Sequence, residues 1–282
     1  MSVLHLTDRC AITVTGQDAG PFLQGIVTTD LESLADDEVR SCALLTPQGK
    51  ILFDFLLSGR GGDGFLIDVD RSAAADLVKR LTLYKLRAKA EIAELENISV
   101  FALWDEPVMT GRRDTRFADA DVRRLYAAAA PAGVMSTSED YDRLRVANGV
   151  GESGRDFVLS DVFPHDVLMD LNGGVSFRKG CFVGQEVVSR MHHRKSARRR
   201  LVTVEGAAPL PASGSDIQAG DRSIGRLGTV AGAQGLALVR VDRVADALAA
   251  GHKIMAEGVE VTPRFAPWTG LSFDQFATAD AD

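Results

Sequence analysis

The stretch Phe177-Arg-Lys-Gly-Cys-Phe-Val-Gly-Gln-Glu-Val-Val-Ser-Arg-Met-His-His-Arg194 places one cysteine, Cys181, between two glycines. Arg178 and Lys179 precede the cysteine, and the residues from Gly184 onward have the apolar spacing of a helix. Cations and a helix N-terminus both lower the pKa of a nearby thiol, so Cys181 is a candidate nucleophile, redox thiol or metal ligand. A small buried residue packed at a tight turn is the alternative, since unpaired cysteines are among the most buried residues.

Three polar residues each have a structural and a ligand-binding interpretation. Gln185 and Glu186 fall in the first turn of the predicted helix, where a carboxylate suits the dipole and the free N–H groups; contact with a ligand is the alternative. Asp54 lies between Phe53 and Phe55 in a predicted strand, so alternation turns it toward either solvent or a ligand. The sequence leaves both interpretations open for each residue.

Composition narrows the class of protein. The chain has 282 residues with 45% hydrophobic and 25% charged residues, which is typical of a globular protein with two or three compact units. Disorder is expected only in the tail, 278–282. The three cysteines are far apart and form no CxxC pair, so neither a disulfide framework nor a resident metal site is predicted.

The charge and hydropathy of the sequence indicate which partners and which cellular location to expect. The net charge of -7 argues against general nucleic-acid binding. One basic run stands out, and it is either a solvated face or a docking surface for an anionic segment, a protein or RNA; its residues are Arg190, Arg194, Lys195, Arg198, Arg199 and Arg200. No apolar run is long enough for a membrane span, and the first residues lack a signal-peptide pattern. We therefore expect no membrane contact and a cytoplasmic location.

The order of predicted elements indicates an α+β fold followed by a β-barrel. A hairpin spans 40–57 around the turn Pro47-Gln-Gly49, a second turn is predicted at 59–64, and Asp70 or Ser72 is expected to cap the helix that follows. Strands and a helix recur from residue 98, and short apolar runs broken by glycine follow Arg200. The predicted division is a first α+β unit at 1–97, a second at 98–197 and a barrel at 198–282.

Four segments together resemble a known family. Lys179-Gly-Cys-Phe-Val-Gly-Gln-Glu186 resembles the KGC[FY]xGQE signature of YgfZ-type folate-binding proteins, which are relatives of the glycine-cleavage T protein associated with iron-sulfur cluster assembly or repair. Three further segments resemble the family in the expected order: Phe22-Leu-Gln-Gly-Ile-Val-Thr-Thr-Asp30, Thr46-Pro-Gln-Gly-Lys-Ile-Leu-Phe-Asp54 and Phe163-Pro-His-Asp166. The resemblance thus spans most of the chain.

The resemblance implies a T-protein-like fold, in which two interwoven antiparallel α+β units surround a central funnel and a small C-terminal β-barrel follows. It also implies a tetrahydrofolate beside Cys181, the candidate catalytic thiol, and iron-sulfur client proteins or assembly factors as partners. The residues expected to contact the folate are Asp54, Asp166, Lys179, Gly180, Gln185 and Glu186.

Two functions follow from this resemblance. The first is a tetrahydrofolate-binding accessory protein that supports iron-sulfur enzymes through Cys181. The alternative is a folate-dependent aminomethyltransferase with Asp54 as its acid or base. True aminomethyltransferases carry a Gly-Gly followed by an Asp-Asp pair, whereas this chain has Gly49-Lys50 and then Phe53-Asp54. The single carboxylate favours the accessory protein over the enzyme.

Overall fold

A computed structural model describes residues 1–62, 64–105 and 110–277. The predicted disordered tail, 278–282, lies outside the described residues. The chain forms two compact units, the first from residues 1–137 with 169–189 and the second from residues 138–168 with 190–282. The stretch 98–197 contributes to both units, and the three-part division made from the sequence stays a prediction.

The first unit is built on one sheet of ten strands. In the described residues the strands are β1 (Ser2–His5), β2 (Arg9–Thr15), β3 (Glu38–Leu45), β4 (Ile51–Gly61), β5 (Gly64–Asp70), β6 (Glu91–Glu94), β7 (Ser99–Trp104), β8 (Arg112–Asp114), β9 (Arg123–Ala127) and β10 (Val134–Met135). Their spatial order is β10-β1-β7-β9-β8-β3-β4-β5-β2-β6. The β1–β10 and β3–β8 pairs are parallel and the others are antiparallel.

The hairpin predicted from the sequence is confirmed as β3 and β4, and β5 continues it as a third antiparallel strand. Gly49 closes the turn with a φ of 81°, and its N–H donates to the Thr46 carbonyl at 2.8 Å. The second predicted turn, 59–64, contains residue 63, which is not described. Glycine suits the turn at 49 because a left-handed backbone there carries no steric penalty.

Two helices cover the apolar face of this sheet, namely α1 (Ala19–Gln24) and α2 (Arg71–Lys85). Asp70 caps α2 as predicted, because its side chain accepts a hydrogen bond from the Ser72 N–H at 2.8 Å. Leu77 and Leu81 of α2 are fully buried in the hydrophobic core of the first unit, where they pack with residues of the strands. Burying each such leucine contributes roughly 1.5 to 3 kcal/mol.

A charged cluster is buried in the same unit. Asp114, fully buried, accepts hydrogen bonds from Arg116 at 3.0 and 2.7 Å and from Arg124 at 3.2 Å. Burial alone would raise the pKa of Asp114, but the two guanidinium groups outweigh it and hold this pKa at about 2. The carboxylate is therefore ionised and paired inside the fold.

The second unit contains a closed six-stranded barrel, as predicted. Its strands are β11 (Arg199–Gly206), β12 (Asp216–Ala219), β13 (Arg222–Ala231), β14 (Gln234–Arg240), β15 (Ile254–Ala256) and β16 (Val259–Arg264). The helix α3 (Ser138–Asn148) precedes the barrel, and α5 (Val241–Ala249) is inserted between β14 and β15. None of the described helices combines the length and the hydropathy that crossing a membrane requires.

The helix predicted after the cysteine is α4 (Gln185–Arg194). Short 3-10 helices complete the described elements, at Leu31–Ser33, Pro164–Val167, Pro267–Thr269 and Phe273–Phe276.

Candidate functional site

The thiol of Cys181 lies on an exposed turn just before α4. Cys10 and Cys42 are buried in the core of the first unit. Burial raises the pKa of both Cys10 and Cys42 to about 11, so each is a protonated, inaccessible thiol at neutral pH. Accessible thiol chemistry is therefore concentrated at Cys181, as the first of the two sequence interpretations requires.

Lys179 anchors the start of this turn. Its side chain is buried, and its Nζ donates to the Val27 carbonyl at 2.7 Å and to the Thr29 carbonyl at 2.9 Å. The ammonium also lies 5.3 Å from the centre of the Phe182 ring, within cation–π range. Burial lowers the pKa of Lys179. These contacts hold the backbone on either side of Cys181, so Lys179 positions the turn.

Gly184 anchors the other end of the turn against the β3–β4 hairpin. Its φ is 78°, and a Cβ at this position would lie 2.5 Å from the Thr46 carbonyl oxygen and 3.0 Å from the Gly49 Cα. A Cβ on Gly49 would in turn lie 3.0 Å from the Val187 Cβ. The two glycines allow the α4 N-terminus to pack directly on the hairpin turn. Gly180 differs, because a Cβ there would meet nothing within 4 Å.

The segment around Thr28 is the platform on which the Lys179 side chain rests. The Thr28 hydroxyl donates to the Gly174 carbonyl at 2.6 Å and accepts from the Ala43 N–H at 2.9 Å. The Thr29 hydroxyl donates to the Gly173 carbonyl at 3.0 Å. These bonds fasten three distant segments to one another.

Sequence reasoning assigned no site role to Thr28 and Thr29. The Thr-Thr pair stood in the quoted Phe22–Asp30 segment, but it lies about 150 residues from Lys179 in the chain. No local pattern connects two segments so far apart, and only a resemblance that covers both could have singled out the pair.

Five of the six predicted folate contacts lie in the first unit with Cys181, among them Lys179, which anchors the turn. Gly180 is exposed beside the thiol, and Gln185 and Glu186 occupy the first turn of α4, half-buried and exposed respectively. The Gln185 side chain has no hydrogen-bond partner within the described part of the chain. Asp54 is half-buried on β4, opposite Ala43 of β3. Their contact with a folate stays a prediction.

Asp166 belongs to the second unit, where it makes structural contacts. Its Oδ2 accepts from the Phe163 N–H at 3.0 Å, which caps the 3-10 helix at Pro164–Val167, and from the Arg199 guanidinium at 2.9 Å. Burial raises the pKa of Asp166, although Arg199 opposes that shift. The carboxyl group therefore links the start of this helix to the first strand of the barrel.

The basic run has two kinds of residue. Arg199 donates to Asp161 and Asp166, and Arg200 donates to the His165 carbonyl at 2.6 Å. Arg194, Lys195 and Arg198 are exposed. The last part of the run thus stabilises the second unit internally, while Arg194, Lys195 and Arg198 are open to solvent and their use as a docking surface stays a prediction.

Known proteins support the barrel and the overall fold. Residues 198–271 match the family model described as CAF17, C-terminal beta-barrel domain. The solved structure of glycine cleavage system aminomethyltransferase T from Bartonella henselae superposes with a TM-score of 0.72 at 16% identity, covering 95% of this chain and 86% of that one. The α+β fold of the aminomethyltransferase T type, with a C-terminal barrel, is therefore confirmed.

Curated relatives are named as iron-sulfur cluster assembly factors. The human protein "Iron-sulfur cluster assembly factor IBA57, mitochondrial" is 31% identical, over 91% of this chain and 82% of its own length. The mouse protein of the same name is 30% identical, over 85% of this chain and 78% of its own length. Their names include a mitochondrial location, which contradicts the cytoplasmic location predicted from the sequence; that prediction was wrong.

The motifs thus correctly indicated an iron-sulfur cluster assembly protein, but the family that they resembled was not the family that the comparisons show. The link to iron-sulfur cluster assembly factors with an aminomethyltransferase-like fold is confirmed, whereas the YgfZ-type label names a related but distinct family. By its identity to the human and mouse proteins over most of their lengths, the chain belongs to the family of the iron-sulfur cluster assembly factor IBA57.

Proposed function

We propose that this protein is an iron-sulfur cluster assembly factor in which the Cys181 thiol acts directly, as a transient cluster ligand or as a redox thiol. The observation that carries the proposal is an exposed cysteine on a turn anchored at both ends, by the Lys179 ammonium and by Gly184. Membership of the IBA57 family supplies the process in which that thiol would act.

One accessible thiol cannot complete a cluster site by itself, because iron-sulfur clusters are held by about four thiolates. Cys10 and Cys42 are buried with raised pKa values, so neither is available to join Cys181. We therefore propose that the remaining ligands come from a partner protein, which is either another assembly factor or a client enzyme. In such a complex Cys181 would supply one ligand and the partner the others.

A rigid turn suits this role. A ligand that binds a cluster only transiently must be held at a fixed position without being buried. The two carbonyl contacts of Lys179 fix the backbone before Cys181, and the packing of Gly184 on the hairpin fixes the backbone after it. The thiol is left exposed between these two anchors.

The proposal includes a tetrahydrofolate held near Cys181. What supports it is the resemblance of the motif and the half-buried Gln185, whose side chain has no partner among the described residues. Calorimetric titration with tetrahydrofolate tests this part. Asp54→Asn and Gln185→Ala are expected to weaken binding, and Lys79→Met, an exposed change on α2, is the matched control. Equal binding by all three variants would remove these side chains from the folate site.

The role in cluster assembly is tested in a strain that lacks this protein. We expect the activities of its iron-sulfur enzymes to fall while the amounts of those polypeptides stay unchanged, and the full-length protein to restore the activities. Normal iron-sulfur enzyme activities in the deletion strain, under both ordinary and oxidising growth, would contradict the proposal. If a protein that does not bind folate still restores these activities, the assembly role stands and the folate is no longer part of the proposal.

A further inference from the structure

The second unit contains a cavity that the cluster-assembly role does not use. Its volume is about 560 Å³, within the range of cavities that bind small molecules. One wall is the loop 154–158, another is formed by residues 223–227 of β13, and Arg243 of α5 completes it. All of its lining residues belong to the second unit.

The loop wall of the cavity is fixed in place. Asp156 accepts from Arg145 at 2.8 Å and from the Glu152 N–H at 2.8 Å, both through Oδ2. Its Oδ1 accepts from the Thr229 N–H of β13 at 2.6 Å. Gly228 allows this approach, because a Cβ there would lie 2.5 Å from the same oxygen. These hydrogen bonds thus fix the loop that forms this wall.

Arginines dominate the polar lining, and most of them are already paired. Five arginines line the cavity, namely Arg155, Arg199, Arg226, Arg240 and Arg243. Asp142 pairs with Arg155, Asp161 with Arg199, Asp216 with Arg226 at 3.7 Å, and Asp242 with Arg240. Among the described residues, no carboxylate pairs with Arg243.

Arg243 is nevertheless held against the cavity wall. Its Nη1 donates to the Ser223 carbonyl at 2.8 Å, and its Nε is buried without a hydrogen-bond acceptor in the described structure. That Nε is closed to ligands as well as to solvent, but the guanidinium group as a whole has no carboxylate partner among the described residues, so an anionic ligand in the cavity would supply its missing counter-charge. Arg226 lines the same cavity, is largely exposed and is only loosely paired, so it is available to the same anion.

Three carboxylates also line the cavity, those of Asp156, Asp161 and Asp216, and each is paired with an arginine. Phe157, Leu227 and Leu238 line the cavity, and Val158 beside them is 68% exposed. We propose that this cavity binds a small organic anion, with one carboxylate or phosphate group on Arg243 and Arg226 and a short apolar body against these side chains. A guanidinium group binds either anion through paired hydrogen bonds, so the structure assigns the shared chemistry.

The test is an NMR titration of the full-length protein with hexanoate, hexyl phosphate and uncharged hexanol at constant ionic strength. We expect saturable shifts of the Gly154, Gly214 and Gly225 amides with at least one of the two anions and none with hexanol. A stronger response to one anion identifies the head group. Binding of hexanol as tight as that of the anions, or no saturable shift with either anion at millimolar concentrations, would overturn the proposal.

Two variants test whether the anionic head group binds to Arg243 and Arg226. Arg243→Gln is expected to weaken anion binding about tenfold or more, since it removes a charge-assisted hydrogen bond. Arg226→Glu changes an exposed residue, so it keeps the fold, and it should weaken binding by reversing a charge in the cavity. Arg222→Gln, an exposed position on β13 outside the cavity lining, is the matched control. Unchanged anion affinity in Arg226→Glu and in folded Arg243→Gln would contradict the assignment.

Discussion

Replacing Lys179 with methionine removes the anchor of the Cys181 turn while keeping most of its length. The change leaves the Val27 and Thr29 carbonyls, now bonded to Nζ at 2.7 and 2.9 Å, without their buried donor. Each unsatisfied buried acceptor costs about 1 to 3 kcal/mol. Burying the Lys179 ammonium is itself unfavourable, as its lowered pKa shows. Removing this charge therefore offsets part of that loss. We therefore expect the free energy of unfolding to fall by about 3 kcal/mol.

Urea denaturation followed by tryptophan fluorescence and circular dichroism measures this loss. Lys79→Met is the control, because Lys79 is exposed on α2 and its change should stay within about 0.5 kcal/mol. A loosened turn should also admit reagents to the buried Cys42, which lies close enough to Lys179 to feel its charge. A loss below about 0.5 kcal/mol for Lys179→Met, with Cys42 still protected, would refute the anchoring role.

Three further results are expected. Gly184→Ala should lower stability by more than about 1 kcal/mol because it forces a Cβ against a carbonyl at a left-handed φ, whereas Gly180→Ala should be tolerated; equal melting temperatures would contradict this. The pKa of about 2 for Asp114 lies below its ordinary value of 3.8, so its stabilisation of about 2 kcal/mol is present above pH 4 and is lost as pH falls toward 2. In pH-dependent denaturation, Asp114→Asn should therefore lose less stability than the unaltered protein as pH falls from 4 toward 2. Iodoacetamide should alkylate Cys181 in the folded protein and spare the two buried thiols, as peptide mass spectrometry can show.

Local patterns predicted the elements near the site well. The β3–β4 hairpin, the Asp70 cap of α2 and the start of α4 after Gly184 each depend on residues that are close in sequence. Turn glycines, capping carboxylates and apolar periodicity act over only a few residues, which is why one sequence suffices to find them.

The contacts that position the candidate site could not be predicted in this way. Lys179 was expected to act on the cysteine or on a folate, but its ammonium bonds to carbonyls at Val27 and Thr29, about 150 residues earlier. Asp166 was expected at the folate, and its contacts in the described structure are a helix cap and an ion pair with Arg199. Which of several possible partners a polar side chain meets is decided by tertiary packing, and a single sequence does not encode that choice locally.

The predicted location was wrong. The absence of a signal-peptide pattern predicted a cytoplasmic location, yet the relatives carry mitochondrial names. A test for a secretory leader addresses only one compartment, so it does not separate the remaining ones.

The central claim is that the exposed thiol of Cys181 acts in iron-sulfur cluster assembly. The most direct measurement is iron-sulfur enzyme activity in a strain lacking this protein, complemented with Cys181→Ser or with Cys10→Ala, both adjusted to equal protein levels. Cys10 is a buried thiol of the same unit and therefore the matched control. We predict that Cys10→Ala restores the enzyme activities and that Cys181→Ser does not, although Cys181→Ser should melt like the unaltered protein. Full restoration by Cys181→Ser would contradict the claim.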